Sequence, residues 1–280
     1  MRTTTMLLLL SGCAGNIGGE SEQGAGEHSD ESVFIPAIHQ RVPDREGEPE
    51  TETIDCASML VCDDFESTSI EGWQLVIDPP QAGIVEADTT RATSGNVSMR
   101  FVTTASDVVS HVQLSKAIAP PDNVFFGRMM LWATRTPTNP QHWNLIQGWG
   151  YVPGSQTQSL SDQVMYQYGG GGPDRALAAY YLNWTTDCFQ PSTASLPLQR
   201  WVCVEWQFDG IANEMRFWLD GEAIDELTVT HPWCGDTWYA PAFERLDIGW
   251  YNALAEPEGP MEMWIDDVVV DEARIGCATL

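Results

Sequence analysis

Basic residues are scarce in this chain: 13 Lys and Arg stand against 40 Asp and Glu, a net charge of -27. So acidic a surface repels phosphate backbones, and no basic stripe offsets the field, which excludes nucleic acid as a partner. Long apolar runs are lacking too. Nothing approaches the roughly 20 apolar residues of a membrane helix, so membrane attachment requires a lipid anchor. No Cys-x-x-Cys pair is present, which argues against a zinc site. The paired-carboxylate strand Glu-x-Asp-x-x-Glu is absent, which disfavours that kind of hydrolysis on a sandwich. A Gly-x-Ser-x-Gly elbow, a His-Glu-x-x-His helix, a phosphate-binding glycine loop and a long helical period are also missing.

What is present begins with Arg2, the apolar run Met6-Leu7-Leu8-Leu9-Leu10, and Leu10-Ser11-Gly12-Cys13. This is the pattern of a lipoprotein signal over residues 1–13, in which Cys13 is lipidated and becomes the mature N-terminus. The alternatives are an ordinary secretory signal or a misplaced start. Residues 14–55 hold 11 acidic and 2 basic residues among Gly, Ser and Pro. Such a stretch buries too little surface to offset its ordering entropy, and reads as a disordered acidic tether.

Residues 56–280 then form a single domain, with 29 acidic and 10 basic residues. Short β-branched and aromatic runs alternate there with Gly, Pro, Asn and Asp. Strands are expected at 97–103, 111–114, 124–132, 143–149, 164–168, 178–184, 201–208, 214–219, 225–229, 245–250 and 261–270. Val202, Val204, Trp206 and Phe208 alternate with Cys203, Glu205 and Gln207, so one face of that strand goes to a core. Asp220-Gly221 marks a tight hairpin after Phe217-Trp218-Leu219. Eleven strands at this spacing indicate an all-β sandwich of two antiparallel sheets. Beside Cys13 there are six cysteines, an even number that in an exported protein allows three disulfides and 15 pairings.

An ordered set of motifs carries a resemblance. Cys62-Asp63-Asp64-Phe65-Glu66-Ser67 opens the domain, Ala92-Thr93-Ser94-Gly95-Asn96-Val97-Ser98-Met99 follows, and Trp201-Val202-Cys203-Val204-Glu205-Trp206 leads into Phe217-Trp218-Leu219-Asp220-Gly221. Ile248-Gly249-Trp250, Trp264-Ile265-Asp266-Asp267-Val268 and Arg274-Ile275-Gly276-Cys277 close it. In this the chain resembles the Cip-type cellulose-induced secreted proteins, whose concanavalin A-like jelly roll is shared with glucuronan and alginate lyases. The resemblance implies a Cys203–Cys277 disulfide, with Cys188–Cys234 and Cys56–Cys62 expected for the remaining four. It also implies a structural calcium on Glu66, the Ser94 carbonyl and Asp266. Where relatives have a side-chain amide this chain has Val97, with Asn96 one place earlier as the fourth candidate. Carboxylates on terminal strands and a turn carbonyl supply the hard oxygens that calcium takes; the bland alternative is strand-end carboxylates alone.

A lyase needs a group to neutralise a uronate carboxylate, a base for the C5 proton and an acid for the leaving oxygen. The resemblance points to His111 and His142, and to Gln167 where relatives carry a basic residue. Tyr181 and Tyr251 are the nearest candidates for a tyrosine acid or base. Either histidine taken singly is also read as a hydrogen-bonded sandwich histidine.

A second candidate surface is aromatic: Trp143, Trp149, Tyr151, Tyr166, Tyr168, Tyr180, Tyr181, Trp184 and Trp250. Such rings stack on sugar faces, although alternation sends about half of a strand's side chains to the core. Gly169 to Gly172 reads as a loop at the rim of a groove.

Three functions follow as expectations. The first is a glycan-binding, envelope-anchored lipoprotein, monomeric, at the outer membrane or cell surface, with a polysaccharide or oligosaccharide partner. The second is a polysaccharide lyase. The third is an envelope scaffold without a sugar ligand.

Overall fold

The computed structural model describes residues 54–68, 70–104, 109–137, 142–171, 176–235, 238–253 and 259–277. Cys13 with its signal, the tether up to residue 53 and Gly172 lie outside the described residues.

Among the described residues sixteen strands follow one another. The first eight are β1 (Val61–Asp63), β2 (Gln74–Asp78), β3 (Gly83–Asp88), β4 (Ser98–Thr103), β5 (Ser110–Ala117), β6 (Val124–Ala133), β7 (Trp143–Tyr151) and β8 (Gln163–Gly171). Then come β9 (Ala176–Asn183), β10 (Asp187–Ser195), β11 (Trp201–Asp209), β12 (Glu214–Leu219), β13 (Glu222–Ala223), β14 (Val229–Thr230), β15 (Ala242–Asn252) and β16 (Met261–Asp271). They form two sheets. One has nine strands along the path β13-β12-β11-β6-β16-β4-β3, with β1 on β16 and β14 on β12. The other has seven, in the order β10-β9-β8-β7-β15-β5-β2. The pairing is antiparallel throughout the described residues.

Alternation builds the core between the sheets. Val202, Val204, Trp206 and Phe208 of β11 are fully buried there, as the pattern of that strand requires. From the facing sheet come Val112 and Leu114 of β5, Tyr166 and Tyr168 of β8, and Leu246, Ile248 and Trp250 of β15. Phe208 is the hub. Its ring stacks on Tyr168 at 5.6 Å and Phe243 at 5.9 Å, and meets Phe125 edge-on at 5.5 Å. Gly127 lies under Trp206, where a Cβ would fall 2.0 Å from the indole, so only glycine lets that ring lie down on β6.

The hairpin expected at Asp220-Gly221 joins β12 to β13, with φ of 48° and 85°, the left-handed pair of a two-residue turn. The strand expected at 225–229 is not formed. Asp225–Leu227 makes a 3-10 turn that tucks Leu227 into the core, and only Val229–Thr230 pairs, with Glu214 and Met215. All three expected disulfides are present: Cys56–Cys62, Cys188–Cys234 and Cys203–Cys277, with Cα separations of 5.3, 6.0 and 5.8 Å. The last ties the C-terminal segment over β11, where Arg274 grips Glu205 through bonds of 3.1 and 2.7 Å.

Candidate functional site

The same alternation that sends Val112 and Leu114 inward turns His111, Gln113 and Ser115 out, onto the outward face of the seven-stranded sheet. Asp247 and Tyr251 of β15, Gln147 of β7 and Gln167 of β8 share that face. On β15 Gly249, paired with Gln113, has φ of 125° and puts no side chain on the outward face; a Cβ there would crowd the Val112 carbonyl and Phe101 of the core. Gln113 therefore reaches over β15 and donates from Nε2 to Gln147 Oε1 at 2.9 Å. One strand further, Asn144 Nδ2 donates to Gln167 Oε1 at 3.1 Å. The result is a floor of four amides crossing the sheet. Its members are buried, with Gln113 at 0%, Gln147 at 1%, Asn144 at 2% and Gln167 at 3% exposure.

Burying that many amides is costly unless each is satisfied, and two of the four, with the neighbouring Asp247 carboxylate, are not. Asn144 Oδ1, Gln147 Nε2 and Asp247 Oδ1 are buried without a hydrogen-bond partner among the described residues. This leaves one donor and two acceptors with unused capacity on one face.

His111 sits at the end of the row. Gln113 Oε1 lies 3.0 Å from His111 Nδ1, and since Gln113 already donates through its amide nitrogen, its oxygen accepts. Nδ1 thus donates, which in the neutral imidazole leaves the lone pair on Nε2. The Tyr251 ring lies 4.6 Å from the imidazole. Burial, with the negative charge of Asp187 adding, holds the Tyr251 hydroxyl above the ordinary phenol value, so at neutral pH it keeps its proton.

His142, just before β7, stacks on Phe189 at 5.0 Å and tilts against Tyr180 at 5.1 Å. Burial lowers its pKa against the opposing pull of Asp187, so His142 is a neutral imidazole at neutral pH. His111, His142, Gln167 and Tyr251 are thus brought to one face. Tyr181 is not. It is fully buried between the sheets, where Asn183 Nδ2 donates to its hydroxyl at 2.8 Å and its ring meets Trp238.

The aromatic candidates divide by strand parity. Trp143 and Trp250 pair edge-on in the core at 5.9 Å rather than facing a ligand. Tyr166 and Tyr168 also point inward, because their hydroxyls find partners there: Asn213 Oδ1 at 3.2 Å and the Leu227 carbonyl at 3.0 Å. Trp149, Tyr151 and Tyr180 belong to the outward face, and Trp184 is 61% exposed on the turn after β9.

Residue types alone did not single out Gln113, Gln147, Asn144, Asp247 or Arg245. The available signal was a polar residue repeated between apolar neighbours, as in Val112-Gln113-Leu114-Ser115. Arg245 is a basic group of this face that the sequence pattern did not single out. Its Nη2 lies 3.1 Å from Asp247 Oδ2, so its charge is already matched. Burial pushes the Asp247 carboxyl above its ordinary value, and Arg245 opposes the shift.

The calcium candidates meet on the other sheet. Glu66 Oε1 accepts from the Asn96 and Val97 amides, both at 2.7 Å, which hold its carboxyl below the ordinary value. Asp266 Oδ2 accepts from Thr93 N at 2.7 Å, and burial pushes that carboxyl up to about 6. The Ser94 hydroxyl donates to Asp267 at 2.6 Å, and Asp267 lies 3.6 Å from the buried Arg128. Two carboxylates thus close on one turn, residues 93–97; Glu66 Oε1 is filled by its two amides, which leaves Oε2 of that residue for a further partner. This donor set fits a hard cation such as calcium.

A two-sheet antiparallel jelly roll with a polar row across one outward face defines a concanavalin A-like protein. More narrowly, residues 64–273 match the Cip1-like core domain of the polysaccharide lyase-like family, and the chain belongs to that family. Among solved structures, the cellulose induced protein Cip1 is similar at 20% identity with a TM-score of 0.59, covering 78% of this chain and 99% of that one. The endo-β-1,4-glucuronan lyase of the fungus Trichoderma reesei follows at 14% identity and 0.57, covering 77% and 96%. Alginate lyase vAL-1 from Chlorella virus is similar at 10% and 0.51, covering 77% and 100%. At these identities the likenesses show the fold. A comparison with curated protein sequences gave no significant match.

Proposed function

We propose that this is an exported glycan-binding protein whose ligand lies across the outward face of the seven-stranded sheet. The observation that carries the reading is the buried amide floor with unused hydrogen-bonding capacity at Asn144, Gln147 and Asp247. Sugar hydroxyls both donate and accept, so a glycan can meet all three groups. Among the described residues of this floor, Gln167 stands where a basic clamp was expected and Arg245 is held by Asp247, which favours binding over uronate cleavage. Three disulfides suit an oxidising, extracytoplasmic compartment, and the proposal places the protein there, anchored by Cys13. A Cys13→Ser variant that still sediments with membranes would contradict the anchor. The proposal includes a structural calcium at Glu66, Ser94, Asn96 and Asp266.

One observation supports the second reading, a lyase: His111 presents Nε2 beside a protonated Tyr251. In β-elimination Nε2 would take the C5 proton of a uronate, the C4–O bond would break as the C4–C5 double bond forms, and Tyr251 would protonate the leaving oxygen. The floor amides would hydrogen-bond the carboxylate.

Affinity electrophoresis of the full chain against neutral and uronate polysaccharides, run alongside ultraviolet absorbance of unsaturated products, decides between them. Retardation without product is the expected result. Absorbance growth abolished by His111→Ala and by Tyr251→Phe would replace binding with the lyase, and neither signal would sink both.

A further inference from the structure

The outward face carries a cleft away from the amide floor, at the far end of β5 from His111. Ser115 lies four residues along the strand, about 13 Å away at ~3.3 Å per residue. Around it opens a cleft of about 460 Å³ lined by Trp73, Ser115, Trp149, Tyr151, Gln163 and Arg245. That volume is in the range of small-ligand sites.

The walls are set before any ligand arrives. Trp73 is pinned by its Nε1 to Asp63 Oδ2 at 2.8 Å. The Arg245 guanidinium sits 4.2 Å from the centre of the Trp149 ring and is fixed from the other side by Asp247. At the rim, Glu244 Oε1 accepts from Gln158 Nε2 at 3.1 Å. The chemistry left over is specific in kind. Trp149 Nε1 and Arg245 Nε are both buried donors without a partner among the described residues. Arg245 and Asp247 cancel in charge, and Glu244 is opposed by Lys116, whose Nζ lies 5.4 Å from the Trp73 ring, so the cleft offers no net charge to compensate an anionic occupant for its lost hydration.

We propose that this cleft is a separate binding site for a single neutral hexose ring, held by aromatic contact with Trp73 and Tyr151 and by hydroxyl oxygens accepting from Trp149 and Arg245. The inference rests on the reading of this face as glycan-binding. It adds a second, neutral-selective site, so that an oligosaccharide spanning both ends binds more tightly than a monosaccharide.

Nitrogen-15 NMR of the full chain, observing the Trp indole N–H signals, tests it. Glucose, glucuronic acid, and a neutral gluco-oligosaccharide long enough to reach His111 are the probes. Glucose should shift the Trp149 indole signal, glucuronic acid at equal concentration should not, and the oligosaccharide should bind with higher affinity than glucose. Trp149→Ala and Tyr151→Ala should each weaken oligosaccharide binding about tenfold, while Gln147→Leu should leave the glucose shift in place. Two aromatic variants guard against one failing to fold. If the oligosaccharide binds but both aromatic variants bind it as tightly as the parent, the cleft is overturned and the floor reading stands. If glucuronic acid shifts Trp149 more than glucose does, the neutral class is overturned. If no probe binds the parent chain, the cleft as a glucose site falls, while the polysaccharide electrophoresis still decides the fate of the floor reading.

Discussion

Phe208→Ala is expected to lower the free energy of unfolding by about 3–5 kcal/mol, the range for removing a fully buried aromatic ring. Phe208 touches both layers of the sandwich: Phe125 of its own sheet, and Tyr166, Tyr168 and Phe243 of the other. Its neighbours cannot close over the gap easily. They are rigid rings, two of them tyrosines fixed by hydroxyl bonds to Asn213 and Leu227. Urea unfolding of the oxidised protein, followed by tryptophan fluorescence, measures the loss. A change under about 1 kcal/mol would mean that the two sheets do not interlock through this ring.

Calcium removal should have the next largest effect. Glu66 lies in the opening segment, residues 93–97 form the turn before β4, and Asp266 belongs to β16, so an ion held among them joins three stretches distant in sequence. A ligand bound only by the folded state stabilises it by about 2.7 kcal/mol at a hundredfold excess over its dissociation constant. Chelation should therefore lower the melting temperature, and added calcium should restore it where magnesium, which demands a tighter octahedron, does not. Glu66→Gln should abolish the calcium response. A melting temperature indifferent to chelator would remove calcium from the account.

Several parts of the fold were legible because they depend on local rules. The β11 alternation needs only its own residues, and the Asp220-Gly221 turn needs only two left-handed positions. Other parts were not, for a physical reason that recurs. In Val164 to Tyr168 both phases of the strand are plausible, since tyrosine suits a wet groove and a core equally until a partner for its hydroxyl is known. The partner of Tyr168 is the Leu227 carbonyl, presented by a turn at positions read as strand. Edge strands β2 and β3, half exposed and short, gave too weak an alternation to be named in advance.

The site divides in the same way. His111, His142, Gln167 and Tyr251 were reached through resemblance and do share a face. The amide floor was invisible because its members lie on three strands: Gln113 and Gln147 are 34 positions apart, and only the register that places β15 between them brings their side chains together. No spacing rule in one dimension encodes that. The same register explains why Arg245 could not be judged from charge alone, since its neutralisation by Asp247 is visible only once both are seen on the outward face of β15.

The central claim is that glycan binds on this floor. The direct measurement is NMR of the side-chain amides of Gln113, Asn144, Gln147 and Gln167 while a polysaccharide fragment retained in electrophoresis is titrated in. The account predicts that these four signals shift together and saturate at one affinity, with Gln147→Leu weakening that affinity about tenfold. Saturable binding that leaves all four unmoved, or that shifts only residues of the nine-stranded sheet, would contradict it.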